Sequence, residues 1–128
     1  MFSAESVFSS YAAKDLDAER AFYENVLGLE VTTNAMGFID LHLPNGVSVL
    51  VYQKPDHTPA GFTVLNFLVD DVDAAVADLV GRGVTMERYS DLPQDSTGVM
   101  RGNGPDIAWL ADPAGNVIAL IKNEPLPS

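Results

Sequence analysis

The sequence predicts an α+β fold: two tandem βαβββ modules forming a curved mixed sheet around a cleft. Three observations lead there. A short acidic motif recurs in register in the two halves, each copy opens an amphipathic helical segment that stops at a glycine, and alternating apolar segments bounded by turn residues follow. At 128 residues with 47% hydrophobic and 20% charged side chains, the chain is expected to be one domain over 1–123. Its modules span about 6–54 and 62–122, with a frayed tail at 124–128 containing Pro125 and Pro127.

The duplication is legible residue by residue. Asp15-Leu16-Asp17-Ala18 returns as Asp71-Val72-Asp73-Ala74. Asp15 and Asp71 stand where a helix N-cap belongs, their carboxylates placed to accept from unpaired first-turn N–H groups and favoured there by the helix dipole. In the first helix Leu16, Arg20, Tyr23 and Leu27 fall near one face, which Phe22 and Val26 widen. In the second, Val72, Ala75, Val76, Leu79 and Val80 form the side expected to be buried. Gly28 and Gly83 follow where a left-handed residue ends a helix. Strands are expected at Ser6–Ala13, Leu29–Asn34, Gly37–Leu43, Val47–Gln53, Thr63–Val69, Val84–Tyr89, Ile107–Ala111 and Val117–Lys122. The turns Pro44-Asn45-Gly46 and Pro113-Ala114-Gly115-Asn116 precede the last strand of each module. The stretch between Tyr89 and Asp106, rich in Gly, Pro and Asp and carrying Met100 and Arg101, reads as a long loop, solvated or capping a pocket.

Composition removes several chemistries. Seven Lys+Arg against 18 Asp+Glu give a formal net charge of −11, which repels phosphate backbones and anionic lipid, so neither nucleic acid nor membrane is an expected partner. The absence of cysteine removes disulfides, thiolate metal sites and a cysteine nucleophile. No apolar stretch reaches the roughly 20 residues that span a bilayer, and Met1–Ser10 lacks the charged and apolar regions of a secretory signal. A cytoplasmic protein is expected. With two histidines, a metal site would have to use both or rely on carboxylates.

The segment Lys14-Asp15-Leu16, followed by Ala21-Phe22-Tyr23 and Val26-Leu27-Gly28, resembles the vicinal oxygen chelate superfamily, which includes glyoxalase I, extradiol dioxygenases and bleomycin-resistance proteins. Phe67-Leu68-Val69-Asp70-Asp71-Val72-Asp73-Ala74 and Asp112-Pro113-Ala114-Gly115-Asn116 carry the resemblance through the second half, so that it covers about Val7 to Ile121. It implies a concave sheet in which four His or Glu side chains hold a divalent metal that polarises substrate oxygens. Carried over by position, those four ligands fall on Phe8, Leu50, Val64 and Ala119, none of which can bind a metal. No metal and no other cofactor is therefore expected.

Strand alternation supports the same faces independently. Val47, Val49 and Val51 form one apolar side, leaving Ser48, Leu50 and Tyr52 opposite; Leu65, Phe67 and Val69 leave Val64, Asn66 and Leu68; Ile39, Leu41 and Leu43 leave Phe38, Asp40 and His42. The expected concave surface thus holds Phe8, Ser10, Phe38, Asp40, His42, Ser48, Leu50, Tyr52, Val64, Asn66, Leu68 and Ala119, with Trp109 on a facing or rim position. An apolar lining with a few orienting polar groups describes a small-molecule pocket, although the same residues could close the interior with no cavity. Asn66 and Ser10, if buried, favour a ligand, because unpaired polar groups are costly to bury. Asp40 and His42 could act as an acid/base or metal pair, or stand as a solvated strand end; no catalytic residue is assigned. His57 falls in an exposed loop. The expected ligand is an apolar or aromatic compound, bound or sequestered by a metal-free homodimer, with a glyoxalase-like lyase or isomerase, or a dioxygenase, acting in the same cleft as the alternative.

Overall fold

The computed structural model describes residues 2–124. They divide into two compact units that meet in sequence between Thr58 and Pro59. Of the expected tail 124–128, residues 125–128 lie outside the described residues.

In the first unit, β1 (Ser9–Ala13), α1 (Leu16–Ala21), β2 (Glu30–Thr33), β3 (Ile39–His42) and β4 (Ser48–Gln53) follow one another. The sheet order is β1-β4-β3-β2, with β1 parallel to β4 and the other pairs antiparallel. Strand β1 begins at Ser9, opposite Val49, rather than at Ser6; β4 begins at Ser48, so Ser6 and Val7 have no residue of β4 opposite them. Asp15 caps α1 by accepting from Ala18 N at 3.1 Å. After Ala21 the helix widens into a π turn over Phe22–Val26, with Leu27 N donating to Phe22 O at 3.1 Å, where the sequence predicts continuous α-helix. In that turn Tyr23 is buried, packs edge-on to Phe22 and accepts a hydrogen bond from the Tyr11 hydroxyl at 2.7 Å. Gly28, at φ 72°, ends the segment. Val31, Ile39, Leu41, Val49 and Val51 form the buried side of the sheet, each contributing roughly 1.5–3 kcal/mol of burial. Glu19 is also buried, which helical periodicity had not suggested.

The second unit contains β5 (Thr63–Val69), α2 (Val72–Gly81), β6 (Ile107–Ala111) and β7 (Val117–Lys122), in sheet order β5-β7-β6. Here too the first and last strands are parallel and the hairpin is antiparallel. Asp71 caps α2 by accepting from Ala74 N at 3.0 Å. The helix closes with Val84 N donating to Leu79 O, past Gly83 at φ 93°. Val72, Val76 and Leu79 are buried, but Val80 is 53% exposed, contrary to the sequence reading. At roughly 100° per residue, Val80 lies about 75° from the centre of the stripe formed by the other three, at its edge.

The expected strand Val84–Tyr89 is extended but is not a strand. Glu87 N donates to Trp109 O at 2.8 Å, a single backbone bond to β6 among the described residues. The neighbouring backbone groups are taken by a side chain instead: Gln94 Oε1 accepts from Tyr89 N at 2.7 Å and Gln94 Nε2 donates to Glu87 O at 3.0 Å. Met100 pairs in both directions with Ile107 at the start of β6. The second module is therefore βαβββ-like, with one extended segment in place of its third strand. The tandem α+β modules with mixed sheets that the sequence predicts are the observed architecture.

The 90–106 stretch is organised without regular elements. Asp95 Oδ1 accepts from Thr97 N, Thr97 Oγ1 and Val99 N at 2.8, 2.6 and 3.1 Å, and Val99 is buried. Arg101 reaches Asp73 on α2 at 2.5 Å, Asp106 at 2.8 Å and Asp95 at 3.2 Å. These bonds fasten the stretch to α2.

Candidate functional site

Each sheet has one side packed on its helix and one side free of it, and registry decides which residues share the free side. In the first unit, Ser10 pairs with Leu50, Leu50 with Asp40, and Asp40 with Thr32, forming one row across all four strands. Ser48, His42 and Glu30 form the next row. Ala12 and Tyr52 lie on the other side of the central row, and the Phe38 ring stands 6.3 Å from that of Tyr52 at 61°. Leu50, Tyr52, Phe38, Asp40 and His42 are half-buried, so the face is accessible and largely apolar in its middle. Phe8, one residue before β1, is 68% exposed.

Asp40 and His42 share this face, but no hydrogen bond or ion pair joins them among the described residues. The His42 Nε2 atom instead hydrogen-bonds Thr32 Oγ1 at 2.8 Å, a partner the sequence did not suggest. Thr32 is diagonal to His42 across the β2–β3 pair, a distance a long side chain spans easily.

In the second unit Asn66, Ala119 and Trp109 form one row, and Leu68, Ile121 and Ile107 the next. Registry thus settles the position of Trp109: it stands on the same face as Ala119, with its ring edge-on to Tyr89 at 5.5 Å and 78°. Partial burial pushes the Tyr89 hydroxyl pKa up, and the nearby Glu87 adds to the effect. Val64 occupies a bulge, since Thr63 pairs with Val117 and Leu65 with Ile118, leaving Val64 with no partner of its own. Simple alternation therefore stops holding at Val64. Asn66 and Ser10 are exposed rather than buried, so the cost of burying an unpaired polar group gives no argument for a ligand at either. His57 also differs from expectation: it is half-buried, with Nε2 enclosed and without a hydrogen-bond partner.

These faces do not fit a metal. The positions that the family pattern would fill with donors carry the side chains of Phe8, Leu50, Val64 and Ala119, which have no lone pair to offer. Elsewhere, no group of three or more His, Asp or Glu side chains is placed to hold an ion among the described residues. What each face can do is bind by shape and apolar contact, with Ser10, Asp40 and His42 available on the face of the first unit and Asn66 on that of the second.

Sequence reasoning missed the organisers of the 90–106 stretch, although Asp95-Ser96-Thr97-Gly98 has the composition of an Asx turn. It also missed a groove of about 530 Å³ beside α2, lined in part by the exposed Val80. That groove depends on how the chain between α2 and β6 folds back, which local pattern does not encode.

Comparison with solved structures returns the same architecture from several sources. The fosfomycin resistance protein FosX of Listeria monocytogenes superposes with a TM-score of 0.70 at 17% identity, covering 97% of this chain and 96% of that one. TnmS3, an antibiotic binding protein from Streptomyces sp. CB03234, gives 0.66 at 23% identity over 96% and 100% of the two chains. A lactoylglutathione lyase of Agrobacterium tumefaciens gives 0.65 at 22% identity over 94% and 96%. At these identities the likeness establishes the fold and leaves activity open. The comparison with curated proteins gave no match. The family model of the Glyoxalase/Bleomycin resistance protein/Dioxygenase superfamily matches residues 7–120, and with the paired βαβββ-type units and their in-register helix caps, this chain belongs to that superfamily.

Proposed function

We propose that this protein binds, and so sequesters, an apolar or aromatic small molecule on the helix-free faces of its sheets without a metal ion. The observation that carries the reading is the replacement of every position that would hold a metal by Phe8, Leu50, Val64 and Ala119, on faces that also present Phe38, Tyr52 and Trp109. Aromatic rings offer a flat ligand large contact area at little conformational cost. An antibiotic binding protein among the structural relatives is consistent with capture that requires no turnover. The rival reading, a lyase or isomerase using Asp40 and His42, is weakened by the engagement of His42 with Thr32.

The test uses the single tryptophan of the chain as a reporter. The protein is incubated with Zn²⁺, Mn²⁺ and Ni²⁺, dialysed and assayed for metal, then titrated with a panel of neutral aromatic compounds while Trp109 emission and melting temperature are followed. Substoichiometric metal, with quenching and a raised melting temperature for at least one compound, is the expected result. One retained equivalent of metal, or a panel that moves neither signal, sinks the reading. We extend the proposal to a cytoplasmic homodimer, for which light scattering of the purified chain should return twice the monomer mass.

A further inference from the structure

We propose that the second unit carries a separate ligand site, on the helix side of its sheet, for a small apolar molecule ending in one carboxylate. The site is the groove of about 530 Å³ between α2, the extended segment after it and the 96–97 turn. That volume lies within the range of roughly 300–1,000 Å³ in which small-molecule pockets occur. Its apolar surface comes from Val76 and Met86, both buried, and from Val84 and the 53% exposed Val80. A valine so exposed beside a concavity is apolar surface that a ligand can cover.

The charge at the rim selects the ligand. Arg88 lines the groove, and its guanidinium donates to the backbone oxygens of Asp95, at 2.7 Å, and Ser96. Neutral carbonyls hold the group in place without cancelling its charge, and a guanidinium with five N–H donors has three left over. The other three arginines each meet a carboxylate: Arg20 pairs with Glu24, Arg82 with Asp78, and Arg101 with Asp73, Asp95 and Asp106. In a chain with 18 acids and 7 bases, no carboxylate among the described residues pairs with Arg88. The acidic side chain in the lining, Asp73, is already bound at 2.5 Å by Arg101. Thr85 and Ser96 also line the groove, and a hydroxyl can donate to an anion. A planar carboxylate matches the planar fork of an arginine, and a single fork matches a single charge. The pocket is therefore built for an apolar body against the valines and Met86 with its carboxylate at Arg88.

The probe is 2-naphthoate, with 2-naphthalenemethanol as its neutral counterpart, titrated into the full chain labelled with ¹⁵N. Naphthoate is expected to shift the amides of Val80, Thr85, Met86, Arg88 and Thr97. Arg88→Gln should weaken naphthoate about tenfold and change the alcohol less than twofold, while Arg88→Lys, which keeps the charge but not the fork, should restore only part of the difference. Should Arg88→Gln loosen the 95–97 turn, Val80→Glu tests the same site from an exposed helix position and should abolish the shifts at these amides. No naphthoate binding, shifts confined to the helix-free faces around Leu50 or Asn66, equal loss of acid and alcohol in Arg88→Gln, or groove shifts that persist in Val80→Glu would each overturn the proposal.

Discussion

Replacing Asp112 by alanine removes the centre of the β6–β7 turn, and the structure allows the cost to be worked out group by group. Asp112 is buried at the end of β6, and its Oδ1 accepts from Ala114 N and Asn116 N, both at 2.9 Å. Its Oδ2 accepts from Asn116 Nδ2 at 3.1 Å, while its backbone N–H reaches Asn116 O and its carbonyl receives Gly115 N. Asn116 is 1% exposed, so water cannot replace the lost acceptor for its two donors, whereas half-buried Ala114 can recover a water. Loss of the acceptor for two buried donors, at about 1–3 kcal/mol each, gives an expected loss of about 2–6 kcal/mol for Asp112→Ala. That is a large part of the roughly 5–15 kcal/mol typical of a folded domain. Asp112→Asn keeps Oδ1, and rotation of the Asn116 amide lets its oxygen accept from the new NH₂ group, so the expected loss is only about 1 kcal/mol. Trp109 lies three residues before the turn, on the strand it closes, and reports unfolding in urea directly. With a slope of about 1–3 kcal/mol per molar urea, the alanine variant should unfold at least about 0.7 M earlier than the parent. Equal midpoints for the parent and Asp112→Ala, or an asparagine variant as damaged as the alanine one, would refute the reasoning.

Three further outcomes are expected. Gly115→Ala should destabilise by about 1–3 kcal/mol in the same urea assay, because Gly115 has φ 85° and an added Cβ would lie 2.7 Å from Pro59 Cγ. The Thr97 hydroxyl, then the Val99 and Thr97 amides and Arg101, hold the Asp95 carboxyl far below its ordinary value of 3.8. A depressed folded-state pKa adds stability that is present above the unfolded value and is lost as pH falls toward the folded one. In a carboxyl-carbon NMR titration Asp95 should therefore stay ionised while other carboxylates titrate, and Thr97→Val should move it back toward the ordinary range. Asn66→Asp places a charge, with almost no change of shape, in the row shared with Ala119 and Trp109. It should weaken a neutral aromatic ligand about tenfold by calorimetry, with a melting temperature within about 2 °C of the parent, as expected for an exposed substitution.

The parts of the fold that were legible beforehand are those governed by neighbours in sequence. Asp15 and Asp71 accept from the amides three residues on, as N-cap spacing requires, and Gly28 and Gly83 take the left-handed conformation that ends a helix. Strands β5, β6 and β7 have the predicted bounds because turn residues flank their apolar runs. The expected strand Val84–Tyr89 failed where a competitor distant in the pattern intervened, since Gln94 takes the backbone groups a strand partner would have used. Alternation placed Leu50, Asp40 and His42 on one face correctly, and lost its authority at Val64 once the bulge broke the count. The Thr32 partner of His42 and the rim charge of Arg88 belong to the same class of unread contacts, each fixed by strand pairing or chain reversal.

By itself, the sequence determined the duplication, the capped helices, the faces of most strands and the absence of donors at Phe8, Leu50, Val64 and Ala119. Those features follow from helical and strand periods and from side-chain chemistry, which depend on residues a few positions apart. Tertiary structure alone decided that Trp109 shares a row with Asn66 and Ala119, that Asp95 and Arg101 bind the long connection to α2, and that Val80 borders a groove. Each of these is a meeting of residues far apart in the chain, set by register and packing, to which local pattern is blind.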